Sequence, residues 1–204
     1  MLLLDEGPKG GPVFLFAHGA GAGMQSDFMS AVSTALVSRG IRVVRFEFPY
    51  MAERRESGKK RPPDKMPHLL AYYRDMLAQF PDAVIGGKSM GGRVASMLAA
   101  EPPVRACAVL GYPFYAKGKM DKPRTAHLAG ISSPLLIVQG ERDALGDAVW
   151  FAEQANLQDL NIHWLPDGDH DLKPRKSSGY TQQGHIESLA DKLAHFIFQH
   201  TTSA

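Results

Sequence analysis

The fold of this chain is decided by the ten residues Val84-Ile85-Gly86-Gly87-Lys88-Ser89-Met90-Gly91-Gly92-Arg93. An apolar run typical of a buried strand ends here, and a stretch with helical spacing of apolar residues begins. Between them lies the pattern G-x-S-x-G, whose turn is too tight for side chains two positions before and after the serine. Gly87 and Gly91 meet this requirement. We therefore expect Ser89 to project from the C-terminal edge of a sheet, at the positive end of a helix dipole.

A serine in a glycine-rich turn has a second interpretation, because its side chain can simply cap the helix that follows. The pattern alone is weak evidence for catalysis. Its position between an apolar strand and an amphipathic helix is the context that gives the pattern its meaning. We therefore interpret Ser89 as a catalytic nucleophile.

Outward from this turn, short apolar runs alternate with amphipathic stretches along the whole chain. The runs that predict strands are residues 13–17, 41–46, 83–86, 106–110, 135–138 and 162–165, with a possible edge strand at 1–4. Helical spacing marks residues 28–36, 69–80, 89–98 and 186–197. The alternation predicts an α/β fold with a mostly parallel sheet of six to seven strands and helices on both faces. We expect one domain, residues 1–204, with residues 51–67 as its one long irregular stretch.

Composition is ordinary for a globular protein, with 44% hydrophobic and 22% charged residues and a net charge of +2. The single cysteine, Cys107, lies in an apolar run and is expected in the core, and it excludes an internal disulfide framework. The first residues lack a basic segment, and no apolar run has the length of a membrane span. We expect a cytoplasmic protein without a membrane partner.

A glycine-rich turn, residues 18–24, follows the first long strand and reads His-Gly-Ala-Gly-Ala-Gly-Met. Acyl transfer needs hydrogen-bond donors aimed at the oxygen that becomes negative. We expect these donors to be the backbone N–H groups of Ala20 and Met90. His18 is interpreted as a structural residue of this turn and not as a base.

The same turn has a rival interpretation as a dinucleotide-binding loop, which would need a third glycine. In one frame that position is Met24, and in the other it is Ser26. Glu47, near the end of the next strand, could imitate the acid that binds a ribose, so this alternative stays open as the weaker one.

The acid and the base are sought after Ser89, in the chain order nucleophile, acid, histidine. Asp143 follows a strand 54 residues after Ser89, and His170 follows the next strand 27 residues later. His170 would accept the proton of Ser89, and Asp143 would fix the tautomer of His170. The competing carboxylates are those of Glu141, Asp147, Asp169 and Asp171, and the expected bystander histidines are His163, His185, His195 and His200.

Asp167-x-Asp169-x-Asp171 imitates the start of a calcium-binding loop. The sixth position needs glycine and is Leu172, and the twelfth needs glutamate and is Ser178. No metal site is expected.

The chain resembles the lidless α/β-hydrolases related to dienelactone hydrolase. It looks closest to a bacterial branch that shares the hydrolase-like domain of a chromatin-complex (NSL) subunit and a testis-expressed protein. The resemblance covers essentially the whole chain and rests on His18-Gly19-Ala20-Gly21, Phe48-Pro49-Tyr50-Met51, Arg61-Pro62-Pro63-Asp64, Gly87-Lys88-Ser89-Met90-Gly91-Gly92-Arg93 and Gly168-Asp169-His170-Asp171-Leu172. It implies the α/β-hydrolase fold without a lid domain and no cofactor. Dienelactone hydrolases use cysteine where this chain has Ser89, so their substrate does not carry over, and some eukaryotic relatives of the branch serve as interaction modules.

Charge is distributed unevenly along the chain. Residues 51–66, 115–125 and 171–180 hold 13 of the 23 lysines and arginines but only 5 of the 21 aspartates and glutamates. All three segments follow strands and are expected at the edge that carries Ser89. We hypothesise that this basic rim steers an anionic substrate, although long polar loops are often basic without a ligand.

These observations predict a serine hydrolase, similar to carboxylesterases, that cleaves a small acyl substrate through an acyl-enzyme. The hypothesis of the basic rim adds that this substrate is anionic. The site should be shallow and open, with candidate wall residues Met24, Tyr50, Met51, Lys88, Phe114 and Tyr115. A thioesterase or peptidase would use the same three residues. A non-catalytic interaction module is the alternative from another class. No nucleic-acid motif is present, so no such partner is expected.

Overall fold

A continuous sheet organises the computed structural model, which describes residues 2–101 and 103–201. Its strands are β1 (Leu3–Glu6), β2 (Val13–Ala17), β3 (Arg42–Phe46), β4 (Val84–Lys88), β5 (Cys107–Leu110), β6 (Leu135–Gly140) and β7 (Ile162–Leu165). They pair in the order β1-β3-β2-β4-β5-β6-β7, and β1 is antiparallel to β3 while the other pairs are parallel. The prediction of a mostly parallel sheet of six to seven strands is confirmed.

Helices cover both faces of the sheet, as predicted. They are α1 (Asp27–Val37), α2 (Pro49–Ser57), α3 (Met66–Gln79), α4 (Met90–Leu98), α5 (Ala148–Ala152) and α6 (Gln182–Thr201). Helices α1 and α6 pack together on one face, and α3 packs with α4 on the other. This arrangement produces two hydrophobic cores, one on each side of the sheet.

Strand β2 shows why the two cores form. Its side chains alternate in direction, because successive residues of a strand point to opposite faces. Phe14 and Phe16 enter the core beside α1 and α6, whereas Leu15 and Ala17 enter the core beside α3 and α4, and all four are completely buried. A strand buried on both faces carries an unbroken apolar run, which is the pattern that the sequence shows.

The prediction that residues 51–67 form one long irregular loop is wrong. Residues 49–57 form α2, which starts with Pro49 in its first turn and ends at Gly58 with a left-handed φ of 67°. Its buried face consists of Tyr50 and Met51 only. The rest of the helix is mostly charged, so the sequence lacks the helical spacing of apolar residues from which a helix is predicted. The longer irregular connection is residues 111–127, after β5.

The edge strand β1 covers Leu3–Glu6, two residues later than predicted, and Met1 lies outside the described residues. Arg42 of the neighbouring strand donates from Nε and Nη2 to the two carboxylate oxygens of Asp5, at 2.8 and 2.7 Å. Arg45 binds Glu6 at 2.6 Å. These ion pairs hold the antiparallel edge strand to the parallel sheet.

Membrane-spanning helices and clusters of metal ligands are both absent from the part of the chain that the structure describes. No helix there is long and apolar enough to cross a membrane. No group of three or more His, Cys, Asp or Glu residues within the same ranges is arranged to hold a metal ion. Cys107 is completely buried in β5, as expected.

The topology gathers the predicted site residues at one edge. Strands β2, β4, β6 and β7 run parallel, so the turns after them meet where the carboxyl ends of the strands lie. Ser89 directly follows β4, Asp143 follows β6, and His170 follows β7. The glycine-rich turn that starts at His18 follows β2 at the same edge.

Candidate active site

Ser89 occupies a strained turn between β4 and α4. Its φ of 52° and ψ of −115° lie outside the regions that non-glycine residues ordinarily adopt. The turn is held because the N–H of Ser89 donates to the carbonyl of Leu110 on β5, and the carbonyl of Ser89 accepts from Arg93 in α4, both at 2.9 Å. Such strain persists only where the surroundings enforce it, and it is concentrated at functional sites.

The glycines at both ends of the pattern make this turn possible by their lack of a side chain. A Cβ on Gly87 would lie 2.5 Å from the backbone carbon of Gly91, and a Cβ on Gly91 would lie 2.5 Å from the carbonyl oxygen of His18. Real Cβ atoms essentially never approach backbone this closely. The spacing of G-x-S-x-G therefore has a direct steric cause in this structure.

Ser89, His170 and Asp143 form one hydrogen-bonded chain. The Nε2 atom of His170 lies 2.9 Å from Oγ of Ser89, and its Nδ1 atom lies 2.8 Å from Oδ2 of Asp143. A carboxylate only accepts hydrogen bonds, so Nδ1 carries the proton and Nε2 is free to accept from the serine hydroxyl. The side chain of His170 is 29% exposed while that of Asp143 is completely buried. The three residues that the sequence singles out thus lie in contact.

The carboxylate of Asp143 is fixed by three donors in the core. Its Oδ1 accepts from the backbone N–H of Leu145 at 2.8 Å, and its Oδ2 accepts from Gln139 at 2.9 Å as well as from His170. These contacts hold the carboxylate in one orientation. Asp143 is therefore positioned to orient the ring of His170.

Gln139 is a positioning residue that the sequence analysis missed. Its amide nitrogen reaches Asp143 and the carbonyl of Gly146 at 3.0 Å, and its Oε1 accepts from the backbone N–H of Tyr112 at 2.7 Å. The side chain is completely buried. The one signal that pointed to it is a glutamine at the end of an otherwise apolar strand, Leu135–Gly140.

Lys88 fixes the loop that carries His170. Its Nζ donates to the carbonyl of His170 at 2.6 Å and lies 3.3 Å from Oδ1 of Asp171. The ammonium group also lies 5.3 Å from the ring centre of Phe28, within the range of a cation–π contact. Burial lowers the pKa of Lys88, while Asp171 and Asp143 raise it.

The predicted oxyanion turn is held from behind by two ring side chains. His18 is completely buried, accepts from the backbone N–H of Phe48 through Nε2 at 3.0 Å, and donates from Nδ1 to the carbonyl of Gly19 at 2.7 Å. Burial lowers the pKa of His18, which keeps the ring neutral. The hydroxyl of Tyr50 donates toward the carbonyls of Gly19 and Ala20, at 3.3 and 3.1 Å.

These contacts determine where the N–H of Ala20 points. In a trans peptide the N–H is directed opposite to the preceding carbonyl. Because His18 and Tyr50 bind the carbonyl of Gly19, the N–H of Ala20 is directed away from them. A Cβ placed on Gly19 would lie 3.7 Å from Cβ of Ser89, so this turn packs directly against the serine. The N–H of Met90 is also free for a ligand, since the first residue of a helix has no intrahelical acceptor.

The predicted wall residues divide into two groups. The prediction is wrong for Met24, Tyr50 and Phe114, because all three side chains are completely buried and cannot touch a substrate. Tyr50 instead supports the glycine-rich turn. Lys88 and Tyr115 line the grooves beside Ser89, although most of each side chain is buried, and Met51 lines a separate depression of about 430 Å³ beside α2.

Two grooves meet at Ser89. The first, of about 550 Å³, includes His170, Phe28 and Lys88, and we call it the histidine groove. The second, of about 490 Å³, includes Met90 and Tyr115 but not His170, and we call it the helix groove. Ser89 is the point where both open, so a molecule bound across the serine would extend one part into each.

A second serine–histidine contact has none of these features. Oγ of Ser96 lies 2.9 Å from Nε2 of His127, but Ser96 is completely buried inside α4 and also donates to the carbonyl of Arg93. Burial lowers the pKa of His127 to about 4, and the Arg93 guanidinium adds to this effect. No carboxylate among the described residues bonds the ring of His127, so this pair is structural.

The competing carboxylates and histidines are used elsewhere. Glu141 accepts from the N–H of Asp167, Asp147 caps α5 through the N–H of Trp150, and Asp169 accepts from two N–H groups of its own loop. His185 bonds the carbonyl of Leu172 and His163 bonds Ser188. Glu47, the residue that could imitate a ribose-binding acid, is buried and paired with Arg55 at 2.9 Å.

No curated protein sequence matches this chain. Among solved structures, it is similar to Est1E from Butyrivibrio proteoclasticus with ferulic acid bound, at 15% identity and a TM-score of 0.71, over 99% of this chain and 96% of the other. Dienelactone hydrolase from Anabaena variabilis has 21% identity and a TM-score of 0.69, over 95% and 89%. An α/β serine hydrolase without a lid from Xanthomonas campestris has 18% identity and a TM-score of 0.64, over 99% and 89%.

At these identities, the structural similarities establish the fold. A family model described as an alpha/beta hydrolase domain matches residues 10–198 of this chain. The match covers the sheet from β2 to β7 together with all the residues of the hydrogen-bonded chain, and this protein belongs to the alpha/beta hydrolase domain family.

Proposed function

We propose that this protein is a serine hydrolase that cleaves a carboxylic ester, or a related acyl bond, through an acyl-enzyme. The observation that carries the proposal is the hydrogen-bonded chain from Asp143 through His170 to Ser89, which ends on a serine in a strained turn at the floor of two grooves. A nucleophile, a base in contact with it and an acid that orients the base are the parts that nucleophilic catalysis requires.

In the first half of the reaction, Oγ of Ser89 attacks the acyl carbon of the substrate. The hydroxyl proton moves to Nε2 of His170, and the new Oγ–C bond leaves the former carbonyl oxygen negative. Asp143 stabilises the imidazolium that forms, without taking its proton. The tetrahedral intermediate then breaks the bond to the leaving group, which receives the proton from Nε2.

In the second half, a water molecule attacks the acyl carbon of the acyl-enzyme and gives its proton to Nε2 of His170. Breaking of the Oγ–C bond returns that proton to Ser89 and releases the acid. In both halves the negative oxygen needs donors, and we assign this role to the backbone N–H groups of Ala20 and Met90. Removing one such donor typically lowers kcat by about 100- to 1,000-fold.

The two grooves assign the two ends of the substrate. The leaving group must lie next to Nε2 of His170, because that atom protonates it. The histidine groove therefore accepts the leaving group, and the helix groove accepts the acyl group. Both are open to solvent at the sheet edge, which favours a small acyl substrate over a long lipid.

The reaction needs no cofactor. Thioesters and amides would react by the same steps, and the cytoplasmic location and the resemblance to the chromatin-subunit branch stay predictions of the sequence.

The test is active-site labelling together with ester turnover. Purified protein is treated with a fluorophosphonate probe and with p-nitrophenyl acetate, in parallel with Ser89→Ala and His170→Ala. The matched control is Ser96→Ala, which removes the hydroxyl of the other serine–histidine contact. Wild type and Ser96→Ala are expected to be labelled and to release nitrophenol, whereas Ser89→Ala and His170→Ala lose turnover and Ser89→Ala loses the label.

Labelling that survives Ser89→Ala would assign the reaction to another residue and overturn the proposal. Absence of both labelling and turnover in folded wild type would also overturn it, and would favour the interaction-module alternative. Turnover of acetyl thioesters or p-nitroanilides above that of oxygen esters would keep the triad and change the substrate class.

A further inference from the structure

We propose that the helix groove is a binding site for a carboxylate, so that the acyl group of the substrate is one half of a dicarboxylic acid. The site consists of Arg93 and Arg124, with Lys117 at the rim of the same groove. This inference rests on the proposed function, since it specifies the acyl group that Ser89 would accept.

The cations of this groove have no anionic partner. No ion pair in the described residues involves Arg93, Arg124 or Lys117, and Nε of Arg93 is buried without a hydrogen-bond partner there. Burial lowers the pKa of Arg93, and the positive charge of Arg124 lowers it further, although the Tyr112 hydroxyl raises it. A guanidinium remains protonated in proteins, so two cations are held near each other and partly out of water. An anion bound between them would offset both the repulsion between the two charges and the loss of their hydration.

Three arginines elsewhere in the basic rim differ in this respect. Arg55 is paired with Glu47, Arg61 with Asp64 and Glu53, and Arg175 with Asp167. The positive charges of these three arginines are therefore compensated within the protein. In the helix groove, by contrast, two partly buried arginines, Arg93 and Arg124, lie together and form no ion pair within the described residues. This contrast makes the groove a specific candidate site for an anion.

One carboxylate does line the groove, that of Asp64. It is already engaged, because its Oδ1 accepts from Arg61 at 2.6 Å and its Oδ2 accepts from the backbone N–H of Tyr50 at 3.2 Å. Asp64 thus belongs to the wall that closes the groove toward α2, and its partner there is Arg61 instead of Arg93 or Arg124.

The backbone holds both arginines in place. Arg93 lies four residues after Ser89 at the start of α4, so its side chain starts about one helical turn, roughly 6 Å, from the nucleophile. Arg124 is fixed by two backbone contacts: its N–H donates to the carbonyl of Phe114, and its carbonyl accepts from the hydroxyl of Tyr112 at 2.7 Å. Guanidinium groups bind carboxylates through two parallel hydrogen bonds, which gives orientation as well as affinity.

The distance sets the length of the acyl group. The carbonyl carbon must lie at Ser89 and the terminal carboxylate must reach the guanidinium of Arg93, whose backbone lies about one helical turn, roughly 6 Å, from that of Ser89. We therefore propose a spacer of about two to four carbons, which is comparable to this separation. Half-esters of succinate, glutarate or adipate have this length. Met66, Leu69 and Met90 supply the apolar surface along the spacer.

The test compares two substrates that differ in one charge. p-Nitrophenyl hydrogen glutarate and p-nitrophenyl methyl glutarate have the same acyl chain, and the rate without enzyme is subtracted for each. In wild type at low salt, kcat/KM for the charged ester is expected to exceed that for the neutral ester by about tenfold or more, mainly through KM. Arg93→Gln and Arg124→Gln should each lower this ratio by about tenfold.

Lys122→Gln is the matched control, because it removes one positive charge from the same loop as Arg124. Lys122 is exposed and lies outside the groove. Its ratio should stay within twofold of wild type. Circular dichroism and thermal melting identify any variant that does not fold, and the position of Arg124 in a loop outside the helices makes it the safer of the two substitutions.

A ratio near one in active wild type, or a ratio lowered by Lys122→Gln as much as by the two arginine variants, would overturn the inference and leave the proposed hydrolase intact. If neither ester is turned over, the proposed function fails, and calorimetric titration of glutarate decides the inference separately. Glutarate binding that is lost in Arg93→Gln and Arg124→Gln supports the site, and absence of binding to wild type overturns it.

Discussion

The ammonium group of Lys88 lies 2.6 Å from the carbonyl oxygen of His170, so the residue before the nucleophile holds the backbone of the base. One turn of the chain thereby determines both ends of the Ser89–His170 contact. The cost is a cation that is almost completely buried and whose nearest carboxylate, that of Asp171, is well exposed. The stability of the fold alone does not explain a buried lysine here, because a buried ion pair often stabilises a protein no more than an apolar side chain of similar size.

We predict that Lys88→Met lowers kcat by about tenfold while changing the melting temperature little. The side chain keeps its volume and loses the donor to His170, and a charge-assisted hydrogen bond is worth about 1.5–3 kcal/mol. Steady-state kinetics with p-nitrophenyl acetate and thermal melting give the two quantities. Asp171→Asn is the control: it removes the ion pair but leaves the carbonyl contact, so its loss should stay below about threefold. Equal losses in both variants would mean that the ion pair is what matters.

We predict that Tyr50→Phe lowers kcat by about tenfold. The hydroxyl binds the carbonyls of Gly19 and Ala20, and its removal lets the glycine-rich turn rotate its N–H groups away from the negative oxygen. Tyr73→Phe is the matched control, since it removes an equally buried hydroxyl that bonds Leu15 and Gly86 in the core. That variant should lose stability with kcat almost unchanged. A normal kcat in Tyr50→Phe would show that the turn needs no support from this hydroxyl.

We predict that Gln139→Leu lowers the free energy of unfolding by about 2 kcal/mol and kcat by at least tenfold. The substitution leaves the N–H of Tyr112 and one acceptor site of Asp143 without a partner in the core, which costs about 1–3 kcal/mol. It also allows the carboxylate to turn away from His170. Urea unfolding measures the first effect and nitrophenol release the second. Full activity in a destabilised variant would mean that Leu145 and His170 suffice to orient the carboxylate.

The parts of the site that could be predicted are those set by local sterics and chain order. Gly87 and Gly91 are required by contacts within the turn itself, so the sequence reveals the position of Ser89 without any knowledge of the fold. Asp143 and His170 follow strands that must end at the same edge of a parallel sheet, and this restricts the choice to a few carboxylates and histidines.

The parts that could not be predicted depend on the path of loops. Whether a side chain after a strand turns inward or outward is decided by tertiary packing, and Phe114 turns into the core against Tyr112 and Trp150. The role of Gln139 needs partners that lie 27 and 4 residues away in sequence, Tyr112 and Asp143. Neither relationship leaves a periodic pattern in the sequence.

We predict that Gly91→Ala lowers the free energy of unfolding by about 3 kcal/mol or more. The added Cβ would overlap the carbonyl oxygens of His18 and Ala17, and backbone atoms cannot yield as a flexible side chain can. Gly130→Ala is the control, because a Cβ there meets nothing within 4 Å and its φ is not left-handed. That variant should be neutral or slightly more stable. Urea unfolding of both proteins provides the comparison, and similar values would show that the turn has room that the structure does not display.

We predict that His127 contributes to the loss of stability in mild acid. Its pKa is about 4 in the folded protein and about 6.5 in an unfolded chain, so between these values the unfolded state binds more protons. The free energy of unfolding should therefore fall as the pH drops from about 6.5 to about 4, and this contribution should stay constant below that range. His18, whose pKa burial also lowers, acts in the same direction.

The measurement is urea unfolding of wild type and His127→Gln at pH 7, 6, 5 and 4. At pH 7 the variant should be somewhat less stable, because the buried hydroxyl of Ser96 loses the ring nitrogen of His127. Toward pH 4 the difference should shrink or reverse, since glutamine takes up no proton. The dependence on pH should be reduced and not abolished, because His18 remains. If the free energy of unfolding depended on pH identically in both proteins, the pKa of His127 would not be lowered in the folded state. The ring would then be protonated while in contact with solvent, and its packing beside α4 would not keep it neutral.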